Sequence, residues 1–293
     1  MNKTLKFILA VFAALLLSAL LTPVFYSLLN PLSPFFKFER IFNRLITVFV
    51  LLAALLFVRF HKDSWSKYGF NFSVPWRTLF ISGFLYGTFL IFFITIAEAA
   101  FGPRYVRESM FVSDILQRFL KGLLTGTAVG ITEEFFFRGF IFVHLERTFK
   151  TWPAIVVTSV FYSLVHFLNN GQIFIPTPPS LVDAFRLLFG FLEPITHRPL
   201  VILPEFIGLF LFGLVLSFAF VRTRSLFLSI GIHAGVVFFI KWQNSFFRKG
   251  PEIYHPLYGS TPHYDGIFEW FVLVLLCFFI YWKTRSTRQI RTS

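Results

Sequence analysis

Charge is scarce in this chain. Asp, Glu, Lys and Arg make up only 14% of its 293 residues, against about 25% in an ordinary soluble domain. Cysteine is almost missing as well. Cys277 is the single one, which excludes an intramolecular disulfide and a thiolate metal cluster. Internal repeats, low-complexity tracts and a second soluble domain are also lacking. The net charge of +13 comes from 27 Lys and Arg scattered through the connections between apolar runs. No basic helix or stripe gathers them, so no nucleic-acid partner is expected, and the anionic headgroups of a bilayer fit better.

Apolar side chains fill the space that charge leaves. Hydrophobic residues make up 56% of the chain and aromatic ones 21%, with 46 Phe, and the mean hydropathy is +0.72. The apolar runs are roughly 16–24 residues long, enough to cross about 30 Å of hydrocarbon. They cover 7–29, 41–60, 78–98, 118–143, 152–168, 201–221, 225–242 and 267–282. This pattern predicts an all-α, polytopic membrane helix bundle of about eight transmembrane helices. The first run continues without charge from Phe7 to Phe36, longer than a signal-peptide core, so it is expected to be a retained span. Lys3, Lys6, Lys283, Arg285, Arg288 and Arg291 favour both termini in the cytoplasm, although Arg104, Arg107, Arg118 and Lys121 make the opposite loops nearly as basic. Within the proline-rich connection 169–200, Leu181 to Phe189 reads as a short interfacial helix. No Gly-x-x-x-Gly pair is read as facing a partner, since Gly208 and Gly213 break that spacing by one, and the oligomeric state is therefore not written here.

Against this background one run is anomalous. Gly130-Ile-Thr-Glu-Glu-Phe-Phe-Phe-Arg-Gly-Phe-Ile-Phe-Val143 places Glu133, Glu134 and Arg138 inside a span. Each charge at a bilayer centre costs about 2.5–3.5 kcal/mol on insertion scales, a heavy burden for a purely structural helix. Glu134 and Arg138 are four apart and share a helical face, so they can pair. Glu133 points about 100° away, toward some other partner. Two further ionisable residues sit within apolar helices, His166 at the end of the fifth span and His233 inside the seventh. Taken singly, each histidine reads as readily as a packed, hydrogen-bonded residue. Two histidines and a glutamate on three helices point to a shared site. A carboxylate in a low-dielectric cavity holds its proton more tightly and can both take and give one. Such a group can activate water, with one imidazole sharing that water and the other donating to an oxyanion.

Other chemistries are less well supported. His-Glu-x-x-His and Gly-x-Ser-x-Gly are both absent. Ser159 and Ser163 are better read as helix-packing residues than as nucleophiles. Two His and two Glu could bind Zn²⁺, but nothing in the spacing demands a metal, and no cofactor is expected. His61, His144, His197, His255 and His263 read as solvated or interfacial. An ion relay lacks the inverted repeat of broken helices that transporters carry.

These residues resemble the CAAX protease and bacteriocin-processing family, the CPBP or Abi proteins, which include Rce1-like prenyl endopeptidases. The resemblance rests on Glu133-Glu134-x-x-x-Arg138, on Tyr162-x-x-x-His166 and on His233 in Ser-Ile-Gly-Ile-His, and it runs from about Leu116 to Ile240. It implies three stretches within one membrane domain: N-terminal transmembrane helices (1–110), a catalytic core (111–245), and a C-terminal loop, last helix and basic tail (246–293). It also implies an intramembrane glutamic endopeptidase that acts on a peptide or lipidated protein, and the absence of targeting extensions suits a bacterial inner membrane. Glu133 would activate water, His166 would help hold or deprotonate it, and His233 would supply an oxyanion donor, with Glu134 and Arg138 as a supporting pair. Two positions depart from the family pattern. Tyr162 stands where Phe is usual, and Val237 stands where Asn or Asp is usual. Lys241 and Asn169 are the candidate stand-ins for the donor that Val237 lacks. A catalytically silent scaffold or immunity protein of the same fold is the alternative that Val237 favours.

Overall fold

The computed structural model describes residues 3–33, 35–62, 64–102, 104–168, 173–197, 199–250, 256–259 and 263–285. Helices account for nearly all of the ordered backbone. They are α1 (Lys3–Leu29), α2 (Phe38–Phe60), α3 (Trp76–Phe101), α4 (Val112–Glu134), α5 (Val143–Thr148), α6 (Thr151–His166), α7 (Leu181–Gly190), α8 (Glu193–His197), α9 (Pro199–Thr223), α10 (Leu226–Trp242) and α11 (Ile267–Lys283). Among the described residues the strands are two three-residue segments, β1 (Arg104–Val106) and β2 (Phe247–Lys249), paired antiparallel with Tyr105 opposite Arg248. The chain is an all-α polytopic helix bundle. A helix lies on each of the eight apolar runs. Among the described residues, five helical segments are long and apolar enough to cross a membrane: Leu9–Leu32, Phe38–Phe60, Trp76–Phe101, Pro199–Thr223 and Leu226–Ser245. The remaining runs differ for local reasons. α4 opens with Asp114, Arg118 and Lys121, and α6 and α11 have only 16 and 17 residues.

The backbone divides into two compact units, residues 1–63 with 165–202 and residues 64–164 with 203–293. The first unit has a small core of its own. Ala184 and Leu187, on one face of α7, pack with Ala19 of α1 and with Phe38 and Phe42 of α2. Val182 and Phe189 lie exposed elsewhere on α7. Its start is fixed by a capping box, in which the Ser180 hydroxyl and amide both donate to Asp183, at 2.7 and 2.9 Å. The Ser180 hydroxyl, helped by Arg186, holds the Asp183 carboxyl below the ordinary carboxylate range. The cap is therefore intact at neutral pH and is lost as pH falls through that lowered value.

In the second unit α10 is the central helix, with nearly all of its residues buried. Glycines let its neighbours approach through their backbones. On α3, Gly83 and Gly87 meet the α10 backbone at Leu228, Gly231 and Ile232, so the two helices run parallel. On α4, Gly122, Gly126 and Gly130 meet Phe238, Ala234 and Ile230 in that order, so α4 runs antiparallel. Each stripe repeats every four residues and so occupies one helix face. Gly-x-x-x-Gly spacing is thus present on three helices, once on α3, twice on α4 and once on α10 (Gly231 and Gly235), and it serves packing inside the chain.

A Gly→Ala change in a helix interior gains about 1 kcal/mol of intrinsic propensity. At Gly87, however, the new Cβ would meet the Ile232 carbonyl, and overpacking costs about 1–3 kcal/mol. The obstacle is backbone and cannot swing aside, so the cost wins. Thermal unfolding in detergent should show a lowered midpoint for Gly87→Ala and little change for Leu85→Ala, whose side chain is exposed. A Gly87→Ala protein as stable as the parent would contradict this packing.

Candidate active site

The site forms where α4 ends. Glu133 and Glu134 are its last two residues, and the helix then widens into a π-helical segment over Phe135–Phe142 before α5 continues it. π-Helical turns are rare and occur often at functional sites. Arg138 lies in this segment, fully buried, and its Nη1 donates to Glu134 Oε1 at 2.8 Å. Its remaining donors reach α9, with Nη2 on the Gly213 carbonyl at 3.1 Å and Nε toward Ser217 Oγ at 3.4 Å. The guanidinium also lies over the ring of Tyr162 on α6, 4.6 Å from the centroid. A buried arginine with this many partners fixes α4, α6 and α9 around one charge.

His233 comes from α10. Gly231 and Gly235 hold its helix against α3, and a residue two positions beyond Gly231 points about 200° away from that contact. That direction brings His233 Nδ1 to 2.9 Å from Glu134 Oε1, across 99 residues of sequence. A carboxylate only accepts, so Nδ1 carries the hydrogen and Nε2 is the nitrogen turned toward the cavity. Glu133 Oε2 lies 3.8 Å from Nε2, and a gap of that length suits a bridging water. The imidazole is steadied edge-on by Phe212 and Tyr162, at centroid distances of 5.5 and 6.3 Å.

The two glutamates differ in access. The Glu134 side chain is 0% exposed and that of Glu133 is 31% exposed. Glu134 is thus committed to Arg138 and His233, while Glu133 can meet something arriving from outside.

The structure brings together Glu133, Glu134, Arg138, Tyr162 and His233. His166 is exposed and ends α6, on the Val165–Ile202 side of the unit boundary. Asn169 lies outside the described residues. Val237 is half-buried one turn beyond His233. Lys241 does not replace the missing donor. It is exposed and lies beside Gly122, eleven residues and about 16 Å along α4 from Glu133. Ser159 and Ser163 are both committed to backbone carbonyls, Ile155 and Phe206, each at 2.8 Å.

Sequence reasoning missed Gly213 and Ser217, the α9 groups that hold Arg138. Their spacing as small residues four apart was the available signal. It also misplaced His263, read as solvated and found buried, and Arg104, read as a loop charge and found 3% exposed. His255 lies outside the described residues.

Residues 115–239 match the family model described as type II CAAX prenyl endopeptidase Rce1-like. The matched region contains all five residues of the site. No curated protein and no solved structure matches the chain.

Removing Arg138 would leave Glu134 buried with its main counter-charge gone. Breaking a buried pair from one side costs about 3–5 kcal/mol. Arg138→Met should therefore unfold in detergent at a markedly lower temperature than the parent. Adding Glu134→Gln to the same protein should recover part of the loss, because the uncompensated charge is then gone. No recovery in the double variant would mean that the arginine acts mainly through Gly213 and Ser217.

Proposed function

We propose that this chain, a CAAX-protease-like membrane protein whose residues 115–239 belong to the CPBP/Abi family, is an intramembrane glutamic endopeptidase. The observation that carries the reading is the unequal environment of its paired carboxylates, with Glu134 buried under Arg138 and His233 and Glu133 partly exposed beside Nε2. A water held between Glu133 Oε2 and His233 Nε2 gives its proton to Glu133. The resulting hydroxide attacks the carbonyl carbon of a peptide bond. The tetrahedral oxyanion is then met by His233, and Glu133 returns the proton to the leaving nitrogen. With Nδ1–H already given to Glu134, Nε2 can donate to the oxyanion only when the ring is an imidazolium. His166 is proposed, on motif resemblance, to help hold the water. The reading needs no metal or cofactor in the reaction.

The substrate class proposed is a membrane-associated or lipidated peptide, and the setting a bacterial inner membrane with both termini cytoplasmic. Val237 supports a second reading, a catalytically silent scaffold or immunity protein of the same fold.

Glu133→Gln separates the two. Protein termini in membranes of cells producing the parent or Glu133→Gln at equal levels should differ, with new termini appearing only with the parent. Loss of a general base lowers turnover by about 10²–10⁴-fold. Identical termini from two folded, abundant proteins would favour the scaffold. Val237→Asn supplies a donor whose loss typically costs about 10²–10³ in turnover, so this variant should cleave faster than the parent. A Val237→Asn enzyme that is no faster would show that the oxyanion is already served.

A further inference from the structure

Helix α9 presents two different faces. Gly213 and Ser217 meet Arg138. One position on from each, Leu214 and Phe218 turn about 100° away, into a groove between α9, α6 and α11. The groove belongs to the same compact unit as the Glu133–His233 site and lies behind α9 from it. Its volume is about 400 Å³, within the range of about 300–1,000 Å³ that ligand sites occupy. We propose that it binds one anionic glycerophospholipid, with an acyl chain along its floor and the phosphate on Arg222. The proposal does not depend on the proteolytic reading.

The lining selects a hydrocarbon chain. Ile155, Val215 and Leu273 form a buried floor, while Trp152 at the edge is 67% exposed. The surface between them is almost wholly carbon. A peptide strand laid there would leave backbone N–H and C=O groups unpaired, whereas an acyl chain has none to satisfy. A helix satisfies its own backbone but is too wide. At about 10 Å across, it would need on the order of 900 Å³ over the roughly 12 Å from Leu273 to Tyr281, more than twice the space present.

Arg222 supplies the polar end. It stands four residues beyond Phe218 on α9 and so shares the groove-facing side of that helix. Its guanidinium lies 5.0 Å from the centre of the Tyr281 ring, which lines the groove. Nε donates to Thr284 Oγ1 at 2.9 Å and Nη2 to the Thr284 carbonyl at 3.0 Å, which fixes the side chain against the end of α11. Among the described residues no carboxylate pairs with Arg222, and Nη1 makes no hydrogen bond. A positioned guanidinium with a donor to spare is well matched to a phosphate oxygen. Trp152 and Tyr281 are also residue types that gather at headgroup depth, so this end of the groove lies where a lipid phosphate would.

The surrounding charge has the complementary sign. Lys150 precedes Trp152 by two residues and Lys283 follows Tyr281 by two, and both are exposed. Over Glu146–Trp152, Arg222–Arg224 and Tyr281–Arg285 the chain carries six basic side chains and one carboxylate. That carboxylate, Glu146, is already taken by Arg224 at 2.8 Å. Near the start of α11 the balance differs, since Glu98 there pairs with both Arg104 and His263. The positive excess at the other end is met by an anionic headgroup, and a basic pocket between transmembrane helices is a known way of holding one.

The test uses the full chain in detergent and two probes with identical acyl chains, phosphatidylglycerol and phosphatidylcholine. Native mass spectrometry should show the parent retaining one phosphatidylglycerol per chain and little phosphatidylcholine. Arg222→Gln, with circular dichroism like the parent's, should lower phosphatidylglycerol occupancy about tenfold or more. Cys277, the chain's single cysteine, lines the groove and gives a second reading on the unaltered protein. Phosphatidylglycerol should slow its alkylation by N-ethylmaleimide, and inorganic phosphate alone should not. This reading decides the matter if Arg222→Gln does not fold. Equal retention of the two lipids, full retention of phosphatidylglycerol by a folded Arg222→Gln, or alkylation that phosphatidylglycerol fails to slow would each overturn the proposal. So would a dimer in which Cys277 is protected before lipid is added, because a second copy would then cover the groove.

Discussion

Glu134 Oε1 is the atom on which the candidate site depends. It accepts from Arg138 on its own helix and from His233 on α10, and both bonds lie where little water reaches. A carboxylate in that position would be costly alone, and so would the guanidinium. Together with the Gly213 carbonyl, Ser217 and the face of Tyr162 they form a set in which each member makes burial of the next tolerable. The arrangement also sets a tautomer. Because Glu134 takes Nδ1–H, the chemistry of His233 is confined to Nε2, the nitrogen facing Glu133. A structural ion pair thereby becomes a device for aiming an imidazole.

That aim also requires α10 to be held still. In a bilayer, helices gain little from hydrophobic association, so close backbone packing has to supply the attraction. The glycine stripes on α3, α4 and α10 provide it, and the backbone oxygens they meet leave no room for a Cβ. Fixing the helix against α3 and α4 turns His233 toward α6 and α9, where the aromatic rings and Arg138 wait.

Much of this was legible in the sequence because the relevant signals are local. Apolar runs report on helices whatever they pack against, and all eight reappear as helices. The face shared by Glu134 and Arg138 needs only the helical repeat, and the pair is present. What could not be read is long-range. The contact between His233 and Glu134 spans 99 residues, and that between His263 and Glu98 spans 165. Loop composition alone placed His263 in solvent, whereas folding carried it inside. A clue did exist, since Glu98 ends an apolar span and Glu269 begins another, and ionisable residues in such places seldom lack a purpose. The glycine stripes were visible too, but spacing does not say whether a stripe meets another chain or a neighbouring helix.

The same stripes restrict how α10 can slide. An axial slip of one residue, about 1.5 Å, would also demand a turn of about 100° to keep side chains matched, and it would drive Ile230 or Ile232 into backbone where a glycine now sits. Only a slip of about four residues, near 6 Å, returns one glycine to the place of another. Such a step would lift His233 away and set Val237 at the height of Glu133. Between these two settings the helix has no comfortable resting point, so the spacing between carboxylate and imidazole comes in whole turns of α10 and not in continuous increments.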